Sequence, residues 1–279
     1  YRRDEEAGRR ARELVAEGAD IIDVGAESTR PGARPVAPAE QIARLGELIA
    51  DLARDGVTCS IDTTSVEVAS HALGQGARIV NLVDPQQARA MAALAARHDA
   101  DLVIMHCRGA MHDMEGFSRY ADEAYADVVE EVVRELGVAA EGAIAAGLDP
   151  ASVVVDPGLG FAKNARQSLA LSAGIARLVA LGYPVVYGAS RKSFLRSACE
   201  AAGVPADTPD DRHGASVAAA MFAADEGVAC VRVHDVLSTK QALTMTRALR
   251  AARKRIAQKM QTRRRDLAGS HRWAPTPVV

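Results

Sequence analysis

Val153-Val154-Val155-Asp156-Pro157-Gly158-Leu159-Gly160-Phe161 decides the architecture. Three consecutive β-branched apolar residues fit a strand covered on both faces, as in a parallel sheet, rather than a half-solvated strand with alternating polarity. Asp156 ends the run, and Pro157-Gly158 turns the chain into a loop. Outward from this unit the same grammar recurs. Short runs rich in Val and Ile predict strands at 21–25, 58–61, 78–81, 102–105, 184–187 and 230–233. Between them, amphipathic patterns predict helices over 5–17, 38–54, 65–73, 86–97, about 120–146, 166–181, 212–226 and 238–258. Gly18, Gly56, Gly76, Gly147, Gly182 and Gly227 follow these helices as C-terminal stops.

A regular alternation of strand and helix predicts a parallel sheet with crossover helices. A closed (β/α)8 barrel has one strand more than the seven found here. The chain opens on a helix, so the expectation is an α/β barrel whose first strand would lie before Tyr1. An open doubly wound sheet is the alternative, but no Gly-rich GxGxxG turn follows an early strand. The chain of 279 residues has the length of one barrel. No linker, repeat or domain boundary interrupts it. One domain is expected over 1–260, followed by a polar, disordered tail over 261–279.

Composition narrows the class. The chain is 48% hydrophobic, 25% charged and only 4% aromatic, with a net charge of −2. This fits a globular enzyme with an aliphatic core; it lacks the aromatic platform of a base-stacking protein and the charge excess of a nucleic-acid or membrane binder. Basic residues do gather at Arg247, Arg250, Arg253, Lys254, Arg255, Lys259 and Arg263, Arg264 and Arg265, a pattern usual for a solvated helix face. Cys59, Cys107, Cys199 and Cys230 form no CxxC pair and fit free thiols in a reducing cytoplasm. No apolar run has membrane-spanning length, and the charged start is unlike a signal peptide.

The chemistry is carried by position. Polar residues close the predicted strands: Asp62, Asn81, His106, Asp156, then Ser190, Arg191 and Lys192, then Arg232 and His234. In a (β/α)8 barrel these ends form the active face. Each has a bland reading alone: Asp62 as a helix cap, His106 as a hydrogen-bonded core residue, Arg191 in a surface ion pair. Six strand ends together are harder to dismiss, because charges at a buried mouth cost free energy unless paired or ligand-bound. Asp62, Asp156 and Asn81 make an acceptor-rich pocket for a flat heterocycle presenting amino and ring N–H donors. Lys192 supplies a donor, and Arg30, Arg232 and His234 suit a phosphorylated arm.

Five motifs taken in order resemble the dihydropteroate synthase family. They are Gly25-Ala26-Glu27-Ser28-Thr29-Arg30-Pro31-Gly32, Ser60-Ile61-Asp62-Thr63, Asp156-Pro157-Gly158-Leu159-Gly160-Phe161-Ala162-Lys163, Gly188-Ala189-Ser190-Arg191-Lys192-Ser193 and Arg232-Val233-His234-Asp235-Val236. The resemblance covers the chain to about residue 250. It implies that Asp62, Asn81, Met105, Asp156 and Lys192 hold a pterin. It places Thr29, Arg30, Arg232 and His234 on pyrophosphate, and Thr29, Pro31, Phe161, Ser190 and Lys192 around p-aminobenzoate, a site that sulfonamides share. The catalytic set it implies is Asp62, Asp156, Lys192, Arg232 and His234. It also implies a magnesium ion, whose expected Asn ligand would lie before Tyr1, and a cytoplasmic homodimer acting on small molecules.

One departure stands out. The family usually has Asn-Asp where this chain has Asn81-Leu82, so Leu82 is expected to remove a carboxylate beside the pterin. That and the first strand expected before Tyr1 raise one alternative, a diverged, non-catalytic pterin-binding paralogue; a second is a pterin-dependent methyltransferase, which shares the barrel and the pterin-holding carboxylates. The Thr29-Arg30-Pro31, Ser190-Arg191-Lys192 and Arg232-Val233-His234 motifs argue against the second.

Overall fold

The computed structural model describes residues 3–28, 34–109 and 120–270. Seven parallel strands lie among them: β1 (Ile21–Gly25), β2 (Thr58–Asp62), β3 (Ile79–Leu82), β4 (Asp101–Met105), β5 (Val153–Asp156), β6 (Val186–Tyr187) and β7 (Cys230–Val231). Strands β1 to β5 pair in sequence order, as do β6 and β7, and a single parallel bridge from Val155 to Val185 joins the two groups. This is the strand order of a (β/α)8 barrel. The predicted strands are all present, each within about two residues of its expected bounds.

Helices cover the outside: α1 (Arg3–Ala16), α2 (Pro38–Leu45), α3 (Leu48–Arg54), α4 (Val66–Gly74), α5 (Ala88–Arg97), α6 (Val128–Ala145), α7 (Ala165–Ala173), α8 (Ile175–Val179), α9 (Ser193–Ala201), α10 (His213–Asp225) and α11 (Val236–Ser270). Three differences from the sequence reading have physical causes. The predicted 38–54 helix breaks at Gly46, whose φ of 51° and ψ of −130° no helix accommodates. The 166–181 helix breaks at Gly174, where α6 passes close enough that a β-carbon would lie 2.9 Å from the Val129 side chain, a contact that favours glycine. Helix α9 escaped the sequence reading because only Phe194 and Leu195 anchor it in the core. At the other end, α11 continues to Ser270, so the backbone of 261–270 is helical rather than disordered; 271–279 lie outside the described residues.

The strands' period of two sorts chemistry from packing. Ile22, Cys59, Ile61, Val80, Leu82, Leu102, Ile104, Val153 and Val155 point outward and join one hydrophobic core with the helices. The alternate residues Asp23, Ser60, Asp62, Asn81, Met105 and Asp156 point into the barrel. This corrects the expectation for Leu82. It is 0% exposed in the outer core, on the opposite face of β3 from Asn81, so it removes nothing from the barrel mouth.

Candidate active site

The mouth is built on strand ends held in register: Gly25 beside Asp62, Asp62 beside Asn81, and Met105 beside Asp156. Asp62 does not cap α4. Ser65 does, its Oγ accepting from the Val68 amide at 3.3 Å. The Asp62 carboxylate instead accepts from the Arg232 guanidinium at 3.1 Å.

The hub of this cluster is Asp23. Its Oδ2 accepts from Arg232 Nε at 2.7 Å and from the Asn81 amide at 3.1 Å. Sequence reasoning passed over it as part of an apolar strand. The available signal was an ionisable residue between Ile22 and Val24, which parallel-strand burial makes expensive. Arg232, implied on pyrophosphate, is here shared between Asp23 and Asp62. Its own pKa is raised: Asp23 and Asp62 favour the cation more than burial opposes it.

Two buried carboxylate oxygens, Asp23 Oδ1 and Asp62 Oδ1, have no hydrogen-bond partner. Burial, then repulsion from Asp23, pushes the Asp62 carboxyl up to about 7, against the pull of Arg232. Asp156 is raised too, mainly by burial, although Lys192 and the Gly158 amide (2.7 Å to its Oδ1) oppose the shift. Three carboxylates facing one guanidinium leave the cluster short of donors, the condition that a ligand rich in N–H groups relieves.

The loop after β5 supplies a second wall. Phe161 is buried with Val83, Met105, Cys107 and Ala162. The Lys192 ammonium lies 4.9 Å from the centre of the Phe161 ring and donates to the Leu159 carbonyl at 2.6 Å. Burial lowers Lys192 to about 8, against the attraction of Asp156. A third pair, Ser190 and His234, touches through Ser190 Oγ and His234 Nδ1 at 3.0 Å. Ser190 thus joins His234 of the implied pyrophosphate set. Arg191 follows its bland reading and pairs with Asp210 at 3.1 Å.

Thr29, Arg30 and Pro31 lie outside the described residues, but both flanks of their segment are tied down. Glu27 accepts from the Val36 amide at 2.8 Å and from Gln41 Nε2 at 3.0 Å, and Gln41 also donates to the Val36 carbonyl. Among the described residues no three His, Cys, Asp or Glu side chains are placed to share a metal ion.

A second ionic cluster lies beneath the β5 loop. Lys163, 0% exposed, donates to the Phe161 and Gly158 carbonyls at 3.0 and 3.2 Å and contacts His106 Nδ1 at 2.9 Å. His106 Nε2 meets Glu135 at 2.9 Å, and Arg108 bridges Glu135 and Glu131. An ammonium is donor-only, so His106 Nδ1 accepts and its Nε2–H donates to Glu135. Burial, together with the charge of Lys163, lowers His106 to about 3, consistent with a neutral ring.

Comparison with known proteins agrees with this geometry. The pterin binding enzyme family matches residues 1–234. The chain is 44% identical over 236 residues to dihydropteroate synthase from Mycobacterium leprae, covering 84% of this chain and 82% of that one. Dihydropteroate synthase from Thermus thermophilus in complex with 4-aminobenzoate superposes with a TM-score of 0.76 at 43% identity, covering 86% of this chain and 88% of that one. The Xanthomonas albilineans enzyme in complex with 7,8-dihydropteroate gives 0.76 at 33% identity, covering 89% and 88%. With an acceptor-rich barrel mouth, five ordered motifs and these relatives, the chain belongs to the dihydropteroate synthase family of pterin-binding enzymes.

Proposed function

We propose that this chain condenses 6-hydroxymethyl-7,8-dihydropterin pyrophosphate with p-aminobenzoate, giving 7,8-dihydropteroate and pyrophosphate. The observation that carries this reading is the donor-starved cluster at the mouth: Asp23, Asp62, Asn81 and Asp156, with Oδ1 of both Asp23 and Asp62 unpartnered, beside the Phe161–Lys192 wall. The pterin amino group and ring N–H donors satisfy the carboxylates, and Lys192 turns its ammonium to a ring acceptor. Met105 underlies the ring.

The reaction forms a C–N bond from the amine nitrogen to the exocyclic methylene carbon and breaks the C–O bond, whose electron pair leaves with pyrophosphate; the amine then loses a proton. Positive charge developing on the pterin faces Asp62 and Asp156. Arg232 and His234 receive the departing anion, which requires Arg232 to exchange its carboxylate partners for phosphate oxygens. Phe161, Ser190 and Lys192 line the amine site, together with Thr29 and Pro31, and a sulfonamide would compete there. The described residues do not form a metal site. Magnesium would enter as a companion of the pyrophosphate, supplying charge to the departing anion.

A homodimer is supported by exposed Phe222 on α10 and Leu237, Met245 and Leu249 on α11. The four free cysteines support a reducing, cytoplasmic setting. Among the described residues no helix is long and apolar enough to cross a membrane. The outward placement of Leu82 removes its support for a non-catalytic paralogue.

The test is pyrophosphate release from dihydropterin pyrophosphate and magnesium, with and without p-aminobenzoate, by the full-length protein. Release that requires the amine and disappears in Lys192→Ala supports the synthase. Pterin binding without amine-dependent release overturns it.

A further inference from the structure

Lys163 is the most deeply buried cation among the described residues, and the proposed chemistry does not use it. Its surroundings show what it holds. The Asp156–Lys163 loop passes through three left-handed residues, Gly158 (φ 64°), Gly160 (φ 80°) and Ala162 (φ 45°). Glycine alone fits the first, since a β-carbon there would lie 1.9 Å from the His106 carbonyl oxygen. Alanine at the third is strained and persists only if its surroundings hold it. Two restraints do so. Tyr125 Oη donates to the Ala162 carbonyl at 2.9 Å, and Lys163 fixes the Phe161 and Gly158 carbonyls that precede it.

Lys163 is fixed in turn through His106 to Glu135 on α6, and Glu135 is fixed by Arg108, whose guanidinium lies 3.9 Å from the centre of the Tyr125 ring. Both restraints therefore converge on Arg108. They set the backbone from which the Phe161 ring meets Lys192. The Asp156 backbone is held by strand pairing with β4, and its carboxylate accepts from the Gly158 amide at the start of the loop.

We propose that Lys163, anchored through His106, Glu135 and Arg108, is a positioning residue for the aromatic-amine wall of the site, acting through the backbone of Phe161 and not on the pterin. The proposal rests on the reading of Phe161 as part of the p-aminobenzoate site. Burial disfavours the Lys163 ammonium and lowers it to about 7.

The test compares wild type, Lys163→Met and Glu135→Gln by steady-state kinetics in both substrates and by amide hydrogen exchange across 157–163. Expected for Lys163→Met is a KM for p-aminobenzoate raised about tenfold, a pterin pyrophosphate KM within about twofold of wild type, and faster exchange in the loop. Glu135→Gln, at a half-exposed position that should fold normally, should shift the same quantities in the same direction by about threefold. It decides the matter if Lys163→Met does not fold. Equal loss for both substrates, a fall in kcat alone, or unchanged loop exchange would overturn the proposal. If wild type shows no amine-dependent turnover, the assignment of the reaction fails, while the exchange measurement still decides whether the strap holds the loop.

Discussion

The molecule contains two buried ionic clusters about one strand-end apart, and they differ in one respect. At the barrel mouth, Asp23, Asp62 and Asp156 outnumber Arg232, and two carboxylate oxygens have no partner. Under the β5 loop, the cations Lys163 and Arg108 balance Glu135 and Glu131 around neutral His106, and none of their side-chain atoms is orphaned. Burying charge is costly in both places. The second cluster offsets that cost internally and acts as scaffold. The first leaves part of it uncompensated until a ligand brings donors. Satisfaction of hydrogen bonds, more than burial or charge, separates the binding site from the frame that holds it.

That contrast can be broken most severely at Asp62. Asp62→Asn keeps the shape and removes the charge, so kcat/KM should fall about 10²- to 10³-fold, as for the loss of a group aimed at transition-state charge. Its melting temperature should hold or rise, because repulsion with Asp23 is relieved. A marked loss of stability would show that Asp62 belongs to the scaffold instead.

The reverse is expected at His106. His106→Ala strips Lys163 and Glu135 of their shared partner and should cost about 2–3 kcal/mol by denaturant titration. Affinity for a pterin should stay within a few-fold. Pterin affinity that collapses while stability holds would erase the distinction between the clusters.

The pH dependence sharpens the comparison further. The folded carboxyl of Asp62 is raised to about 7 from an ordinary 3.8, so the folded protein retains a proton that the unfolded chain releases. Stability of the ligand-free protein from this group therefore declines as pH rises from about 4 to 7. In the proposed site pterin binding requires the carboxylate, so affinity should strengthen up to about tenfold per pH unit below 7 and level off above it. A dissociation constant flat from pH 5 to 8 would show that Asp62 is ionised without ligand. The smallest effect is expected far from both clusters: Arg177→Ala breaks an exposed pair with Glu130 and should leave turnover and the denaturation midpoint unchanged within error.

Much of this was legible in the residues. Apolar runs such as Val153–Val155 located every described strand, and polar letters closing them marked the mouth. What remained hidden depended on distance in the chain. Lys163 meets His106 across 57 residues, and Arg232 reaches Asp23 across 209, contacts that no local pattern encodes. Asp23 was hidden for another reason, a charge inside a run read for its hydrophobicity. Leu82 was misjudged although the rule was at hand: if Asn81 faces inward, its neighbour faces out. Position within a motif was taken for position in space.

Gly158 carries a consequence for anyone evolving this site. A library randomised over 157–163 and selected for amine-dependent growth should tolerate several apolar letters at 159, favour glycine at 160, where φ is 80°, and return a single letter at 158. There the constraint is a backbone carbonyl of another strand, which no neighbouring side chain can move aside to accommodate a second choice. Resistance to an amine-mimicking inhibitor would then have to arise from the ring at 161 or the residues that seat it, since the pivot of the loop offers selection no variation to act on.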